Sequence, residues 1–535
     1  MSKTRILRRS TAMAGIVMTI LHGTAWAQPP LKPHPHVKTV DQPSAIAAVA
    51  STHANAGATS RWQLLANQPP VLNYQACGPG SPILLTDGTV LVADAGCSDW
   101  WKLTPDAYGS YVNGTWTQIA STPAAYAPLY HSSAVLPDGR LIIEGGEYNF
   151  LQPAWTNLGA IYDPRTDTWT SVNPPAGWSS IGDAPSVILA DGTYMQSNCC
   201  AIQSALLNPQ TLTWTPTGAG QFDVSDEQGW TLLPNGKVLT VDAYVFKYDP
   251  TGMNSEIFDP QTGTWQSAGS TVVQLWDSQL MCGETGPSFE VGPAVLRPDG
   301  TVFYTGSNTC GAGFPGNTAI YDSKHGQWRA GPKLPGSLNI SDGPAALEPN
   351  GNVLIMASPG FGATPSTFLE WDGANLNVTE PAPNAANDAS YYGSFLVLPS
   401  GQILFTDFFF VSVYNPPGHY NQDWAPQITN APTQIHPGAS YEITGIRFNG
   451  MSQGAAYGDD NQMATNFPLV RITNNATGHV FYSRTHDHSS MGVATLGQQV
   501  TTHFDVPAGQ ETGPSTLVVV TNGIPSHPVD VLVGS

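Results

Sequence analysis

The chain has 535 residues, enough for two or more domains with large buried cores. Only 11% of residues are charged, against 54 glycines and 46 prolines, a balance that excludes a mainly helical protein and favours short strands joined by many turns. The formal charge of −20, from 39 acids and 19 bases, repels phosphate backbones and excludes nucleic acid as a partner, while serving solubility.

In chain order, the first 27 residues read as an export signal. Lys3, Arg5, Arg8 and Arg9 precede an apolar run from Ala12 to Leu21, and Ala25-Trp26-Ala27 fits a small-x-small cleavage site. Arg8-Arg9 leaves open a twin-arginine route beside the general secretory one. No later stretch is apolar for the ~18 residues that span a bilayer. The expected location is therefore periplasmic or secreted. Residues 28–60, rich in Pro, Ala, His and Ser, read as a flexible leader.

From residue 61 one pattern recurs: apolar strand, tight turn with glycine, apolar strand. It runs PILLTDGTVLVA, SAVLPDGRLIIE, SVILADGTYMQS, WTLLPNGKVLTV, AVLRPDGTVFYT, AALEPNGNVLIM and FLVLPSGQILFT. The turn glycines are Gly88, Gly139, Gly192, Gly236, Gly300, Gly351 and Gly401, spaced by 51, 53, 44, 64, 51 and 50 residues. Asp-Gly and Asn-Gly suit two-residue hairpin turns with positive φ. Seven hairpins at this spacing predict an all-β fold: a seven-bladed kelch-type β-propeller over 61–425. Tryptophans that follow an Asp/Asn-Pro turn, Trp169, Trp214 and Trp265, with Trp328, Trp116 and Trp424 similar, are expected between neighbouring blades. The segment around Trp62 is expected to close the ring as an outer strand of the last blade. Residues 426–535 change to short alternating strands, predicting a C-terminal immunoglobulin-like β-sandwich.

In a propeller the residues entering each innermost strand face the axis. Here they are Cys77, Tyr130-His131, Asp183, Asp226-Glu227, Glu290, Asp342, and Asp388 with Tyr391-Tyr392. Acids at such positions cap strands, or they converge to hold a cation and raise one another's pKa. In the C-terminal region His486 and His488 are two residues apart, which on a strand would face one side. The six cysteines include two pairs that flank hairpins, Cys77 with Cys97 and Cys282 with Cys310, and these are expected as disulfides. Cys199-Cys200 is open to a vicinal disulfide or two thiols.

Residues 61–535 resemble the copper radical oxidases, the family of galactose oxidase and glyoxal oxidase. The resemblance rests on the kelch hairpins, the C-terminal sandwich, Tyr130-His131-Ser132-Ser133, Gly145-Gly146-Glu147-Tyr148, Tyr391 and Thr485-His486. It implies a copper site with Tyr130 as the radical tyrosine and Tyr148 stacked on it. It further implies Tyr391 as axial ligand, His486 as a ligand carried up the axis, and Cys77 in a thioether to Tyr130. Tyr392 stands where the family has a copper-binding histidine, leaving His131 and His488 as substitutes. The expected activity is oxidation of a primary alcohol or aldehyde, with O₂ reduced to H₂O₂, by a monomer. The alternatives are a carbohydrate- or protein-binding propeller without copper, with no cofactor, and a propeller polysaccharide lyase.

Overall fold

A computed structural model describes residues 60–70, 77–244, 253–277, 288–307, 314–360 and 362–535. The predicted signal and leader, together with Cys282 and Cys310, lie outside the described residues. Among the described residues helical structure is limited to two 3-10 turns, Ser390–Tyr392 and Gln422–Trp424. No described helix is long and apolar enough to cross a membrane.

Seven four-stranded antiparallel blades form the propeller. Their innermost strands are Pro79–Leu84, Ser132–Val135, Ser186–Ile188, Thr231–Leu232, Ala294–Leu296, Ala345–Leu347 and Ser394–Val397. Each opens a predicted hairpin. The turns differ in detail from the expectation. Only the glycine has positive φ, 76° at Gly88 and 90° at Gly351. Leu85 N–H bonds Thr89 O across Thr86-Asp87-Gly88, and Gly88 N–H bonds Leu85 O. This is a three-residue loop, a type I turn closed by a left-handed glycine. The Asp87 carboxylate completes it by accepting from Thr89 N–H at 3.0 Å.

The ring closes as expected. Trp62–Leu64 pairs with Val411–Tyr414 and becomes the outer strand of blade seven. Tryptophans stitch adjacent blades. Trp169 and Trp214 donate from Nε1 to Ala120 O and Asn173 O, each in the stretch that follows the preceding blade. Trp100 of blade one packs 5.5 Å from Trp169 of blade two.

The C-terminal strands form a sandwich around Ile435, Ile443, Phe448, Val470, Ile472, Val500, Phe504 and Val519. Strand Val480–His486 spans it, pairing with Leu469–Asn474 through its first half and with Gln499–Asp505 through its last three residues. This sandwich sits on the hairpin-turn side of the propeller. Thr485 N–H bonds Thr86 O, and Arg484 bonds Asp138 O.

The feature that positions the site is a loop. Residues 447–468 connect sandwich strands Ser440–Ile446 and Leu469–Asn474 by leaving the sandwich and entering the propeller. Ala455–Ala456 adds a fifth strand to blade six, beside innermost strand Ala345–Leu347. Gln453 accepts from Leu232 N–H, and Gln462 donates to Trp230 O, anchoring the same loop to blade four. We refer to this loop as the finger.

Candidate functional site

Two clusters meet at the finger. The first is a narrow cavity lined by Tyr130, His131, Tyr391, Phe408, Tyr457 and Asn461, among others. Tyr130 enters from blade two with φ of 52°, a left-handed conformation rare for a non-glycine residue. Its neighbour Leu129 pairs with Tyr148 in a small three-stranded sheet at the mouth. Tyr148 therefore lies beside Tyr130, but edge-on, at 6.3 Å and 62°. The nearly parallel ring is Tyr457 of the finger, at 6.5 Å and 21°. This corrects the stacking role expected of Tyr148. Tyr457 OH donates to Tyr391 O at 2.8 Å, tying blade seven to the finger. Burial holds the Tyr391 phenol far above its usual range, so it is neutral. Tyr392 packs edge-on against Tyr391 at 4.6 Å.

His131 is buried, and its Nδ1 lies 3.0 Å from Ser132 O. That contact selects the tautomer protonated at Nδ1 and leaves the Nε2 lone pair free to accept. Burial lowers its pKa to about 4, so the ring is neutral at physiological pH.

The second cluster is acidic and wholly buried. Ligand-capable oxygens of Asp183, Glu227 and Asp459 lie within 4.8 Å of one another, as do those of Glu290, Asp342 and Asp459. Blades three to six thus supply predicted acids, and the finger supplies the shared one. Asp226 lies beside Asp183 and Cys199. Burial first, then the charges of Glu227 and Asp183, push its carboxyl well above the usual range. Asp388 is not part of this cluster. It is held by Asn384 Nδ2 at 2.6 Å and interacts with Asp407.

The two predicted histidines of the sandwich do not reach the axis, which corrects the expected copper-bearing finger. His486 ends its strand, with Nδ1 2.7 Å from Asp487 and Nε2 3.2 Å from Asp505. Asp487 turns left-handed at φ 53°, so His488 does not continue on the same side. It turns inward, bonds Thr502 Oγ1 at 2.8 Å and stacks on Phe467. His488 N–H meets Pro137 O, at the turn end of blade two. An extended strand separates that end from Tyr130 by ~20 Å. The thioether expectation is also corrected. Cys77 is joined to Cys97 across the first hairpin, with Cα atoms 6.1 Å apart, so its sulfur is committed. Cys199 and Cys200 form a vicinal disulfide.

Tyr457, Asp459, Asn461 and Phe408 are site residues that the sequence reading missed. A signal existed for the first three. Twenty-two residues between successive strands far exceed the few a sandwich turn needs, and such loops usually carry function.

The fold class is a kelch-type seven-bladed propeller with a C-terminal β-sandwich, as the seven hairpins predicted. No family model matches the chain. It is 35% identical over 130 residues to the Kelch-like protein terF of Aspergillus terreus, covering 23% of this chain. The chain spans about a quarter of the length of that curated relative, 26%. Among solved structures, it is similar to a fungal alcohol oxidase of the AA5 family in complex with copper. That match has 16% identity and TM-score 0.47, and covers 86% of this chain and 98% of the other. A streptogramin B lyase matches at 9% identity and TM-score 0.46, covering 66% and 97%.

Copper(II) favours imidazole nitrogens in a tetragonal site. Among the described residues lining the tyrosine cavity, His131 is the single imidazole. Tyr392 stands where the sequence resemblance expects a second, and His486 is engaged with Asp487 and Asp505. The donors present do not fit a copper radical site.

Proposed function

We propose that this is an exported galactose oxidase-like propeller that binds the hydroxyl or aldehyde end of a small alcohol or carbohydrate between Tyr130, Tyr391 and Tyr457, without radical turnover. One observation carries the reading: three tyrosines and one neutral imidazole converge on a single cavity that lacks a second imidazole. The rings give apolar faces for the carbon skeleton. His131 Nε2 and the Asn461 amide give polar groups that orient a hydroxyl. The cavity is narrow, so it accepts a terminal group rather than a whole sugar ring.

The test pairs two measurements on the full chain, one with added copper and one without. Binding of sugars and alcohols is followed by calorimetry, and peroxide release by a coupled assay. The expected outcome is saturable binding, weakened about tenfold or more by Tyr130→Ala, with no alcohol-dependent peroxide. Alcohol-dependent peroxide from the copper-loaded chain would sink the proposal in favour of the oxidase reading. That reading keeps one supporting observation, the meeting of Tyr130 and Tyr391 at one cavity.

A further inference from the structure

The Cys199–Cys200 disulfide lies outside the tyrosine cavity, yet it packs on Gly182, which bonds the segment beside Tyr130. We propose that this vicinal disulfide is a redox switch. It opens by thiol–disulfide exchange with an external dithiol, Asp226 supplies a proton to the Cys199 sulfur, and opening loosens residues 145–148 beside Tyr130. The switch is independent of what the tyrosine cavity binds.

Three observations lead to it. First, the bond is a poor staple and a reachable one. A disulfide constrains the unfolded chain according to the loop it closes, and this one joins adjacent residues, whereas Cys77–Cys97 spans 20. Cys199 is wholly buried, but Cys200 is partly exposed, so its sulfur is open to an attacking thiolate. Second, a proton donor stands beside it. The Cys199 sulfur and carboxylate oxygens of Asp226 and Asp183 lie within 4.8 Å of one another. Burial first, then the charges of Glu227 and Asp183, keep the Asp226 carboxyl protonated. A thiolate leaving at Cys199 would be buried among acids, a costly state that a proton from Asp226 removes. The Tyr244 side chain hydrogen-bonds Asp226 and supports the carboxylate left behind. Third, the disulfide bears on Tyr130 through short contacts. Cys199 N–H bonds Ile181 O at 3.0 Å. A Cβ on Gly182 would lie 2.5 Å from Cys199 Sγ, so the sulfur rests directly on the backbone there. Gly182 O accepts from Gly146 N–H at 2.6 Å, and Glu147 N–H donates to Tyr130 O at 2.9 Å. The turn that the disulfide fixes therefore buttresses the backbone that holds Tyr130.

Opening is a two-electron reduction. A thiolate of the external dithiol attacks the Cys200 sulfur, the Cys199–Cys200 bond breaks, and the Cys199 sulfur takes the Asp226 proton. The proton released by that first thiol restores Asp226. The second external thiol, as its thiolate, attacks the external sulfur of the mixed disulfide, and Cys200 leaves and takes that thiol's proton. The products are two cysteine thiols and the oxidised dithiol. Exchange in reverse, with an external disulfide as oxidant, closes the switch.

The experiment treats the folded full chain with dithiothreitol, alkylates the thiols and maps the peptides by mass. Cys199 and Cys200 should both be labelled, and oxidised glutathione added before alkylation should restore the bond. At matched thiol concentration Asp226→Asn should slow opening about 100-fold, and Asp226→Glu should recover most of the rate. Amide hydrogen exchange at Gly146 and Glu147 should speed about tenfold or more on reduction. A chain carrying both Cys199→Ser and Cys200→Ser should show that faster exchange without reductant and no further change with it, which separates this bond from Cys77–Cys97. If the variants do not fold, labelling and amide exchange of the unaltered chain still decide. Failure to label both cysteines in the folded chain overturns the inference, as does unchanged amide exchange once they are open. An Asp226→Asn chain that opens as fast as the unaltered one overturns the role of Asp226. None of these results bears on alcohol or sugar binding at Tyr130, which is read separately.

Discussion

Tyr130, Glu227 and Asp342 each stand nine residues before their blade's turn glycine, and each is left-handed. That conformation costs an L-residue roughly 1–2 kcal/mol. It persists because the sharp entry into the inner strand aims the side chain at the axis, where strain and function commonly coincide. Tyr457 meets these residues from the finger. Tyr457→Phe keeps the ring stack on Tyr130 but removes the bond to Tyr391 O. A loss of about 1 kcal/mol is expected in urea denaturation. An unchanged midpoint would mean that this bond does not tie finger to blade. The first hairpin offers a covalent check. Cys77 and Cys97 are 20 residues apart, and Cys77→Ser should cost about 2–4 kcal/mol. A digest should yield their two peptides joined until reductant is added. A link from Cys77 to Tyr130 that survives reductant would contradict the disulfide.

At the scale of elements, the ring depends on a three-residue strand. Trp62 is 2% exposed, packs against Phe368, Phe405 and Tyr414, and donates from Nε1 to Glu380 O at 2.7 Å. Trp62→Ala should cost about 3–5 kcal/mol, because it both empties a packed site and loosens the closure of the ring. Trp169→Phe keeps most of the packing and loses only the bond to Ala120 O, about 1 kcal/mol. Denaturation midpoints that rank these two variants in the opposite order would place the closure elsewhere. The finger is the other decisive element. Its two-residue pairing with blade six is short, so its place depends on side chains at the axis as well as on backbone bonds.

Across the whole molecule, buried acids dominate the pH response. Burial raises Asp94 and Glu256 to about 7, and Asp223 and Glu348 to about 8. The folded state keeps these protons at pH values where the unfolded chain has released them. Stability from these groups therefore falls as pH rises toward their folded values. His131 and His488, lowered to about 4 and about 3, act in the opposite sense, but only below their unfolded value of about 6.5. Between about pH 6.5 and 8 the acids act alone. The melting temperature should fall across that interval. A rise there would show that these carboxyls are ionised in the folded protein.

The seven hairpins were legible because a turn glycine between apolar strands is local chemistry, repeated at nearly constant spacing. That repetition determined the blade count and placed Tyr130, Tyr391 and the acids of blades three to six on one axis. Sequence by itself did not decide which part of the sandwich enters that axis. Thr485-His486 carried a motif, whereas Ser452-Gln453-Gly454-Ala455-Ala456-Tyr457-Gly458-Asp459 carried none, and only its length stood out. The outcome depends on fit in three dimensions. Strand Val480–His486 is held against the hairpin turns by Thr485 N–H on Thr86 O and by Arg484 on Asp138 O, so His486 stays on the turn side of the propeller. The small residues of the finger fit between the inner strands and bring Tyr457 and Asp459 to the site. Local spacing determined the ring and the positions that face its axis. Tertiary packing decided which side chains complete the site there, because that choice rests on contacts between segments hundreds of residues apart.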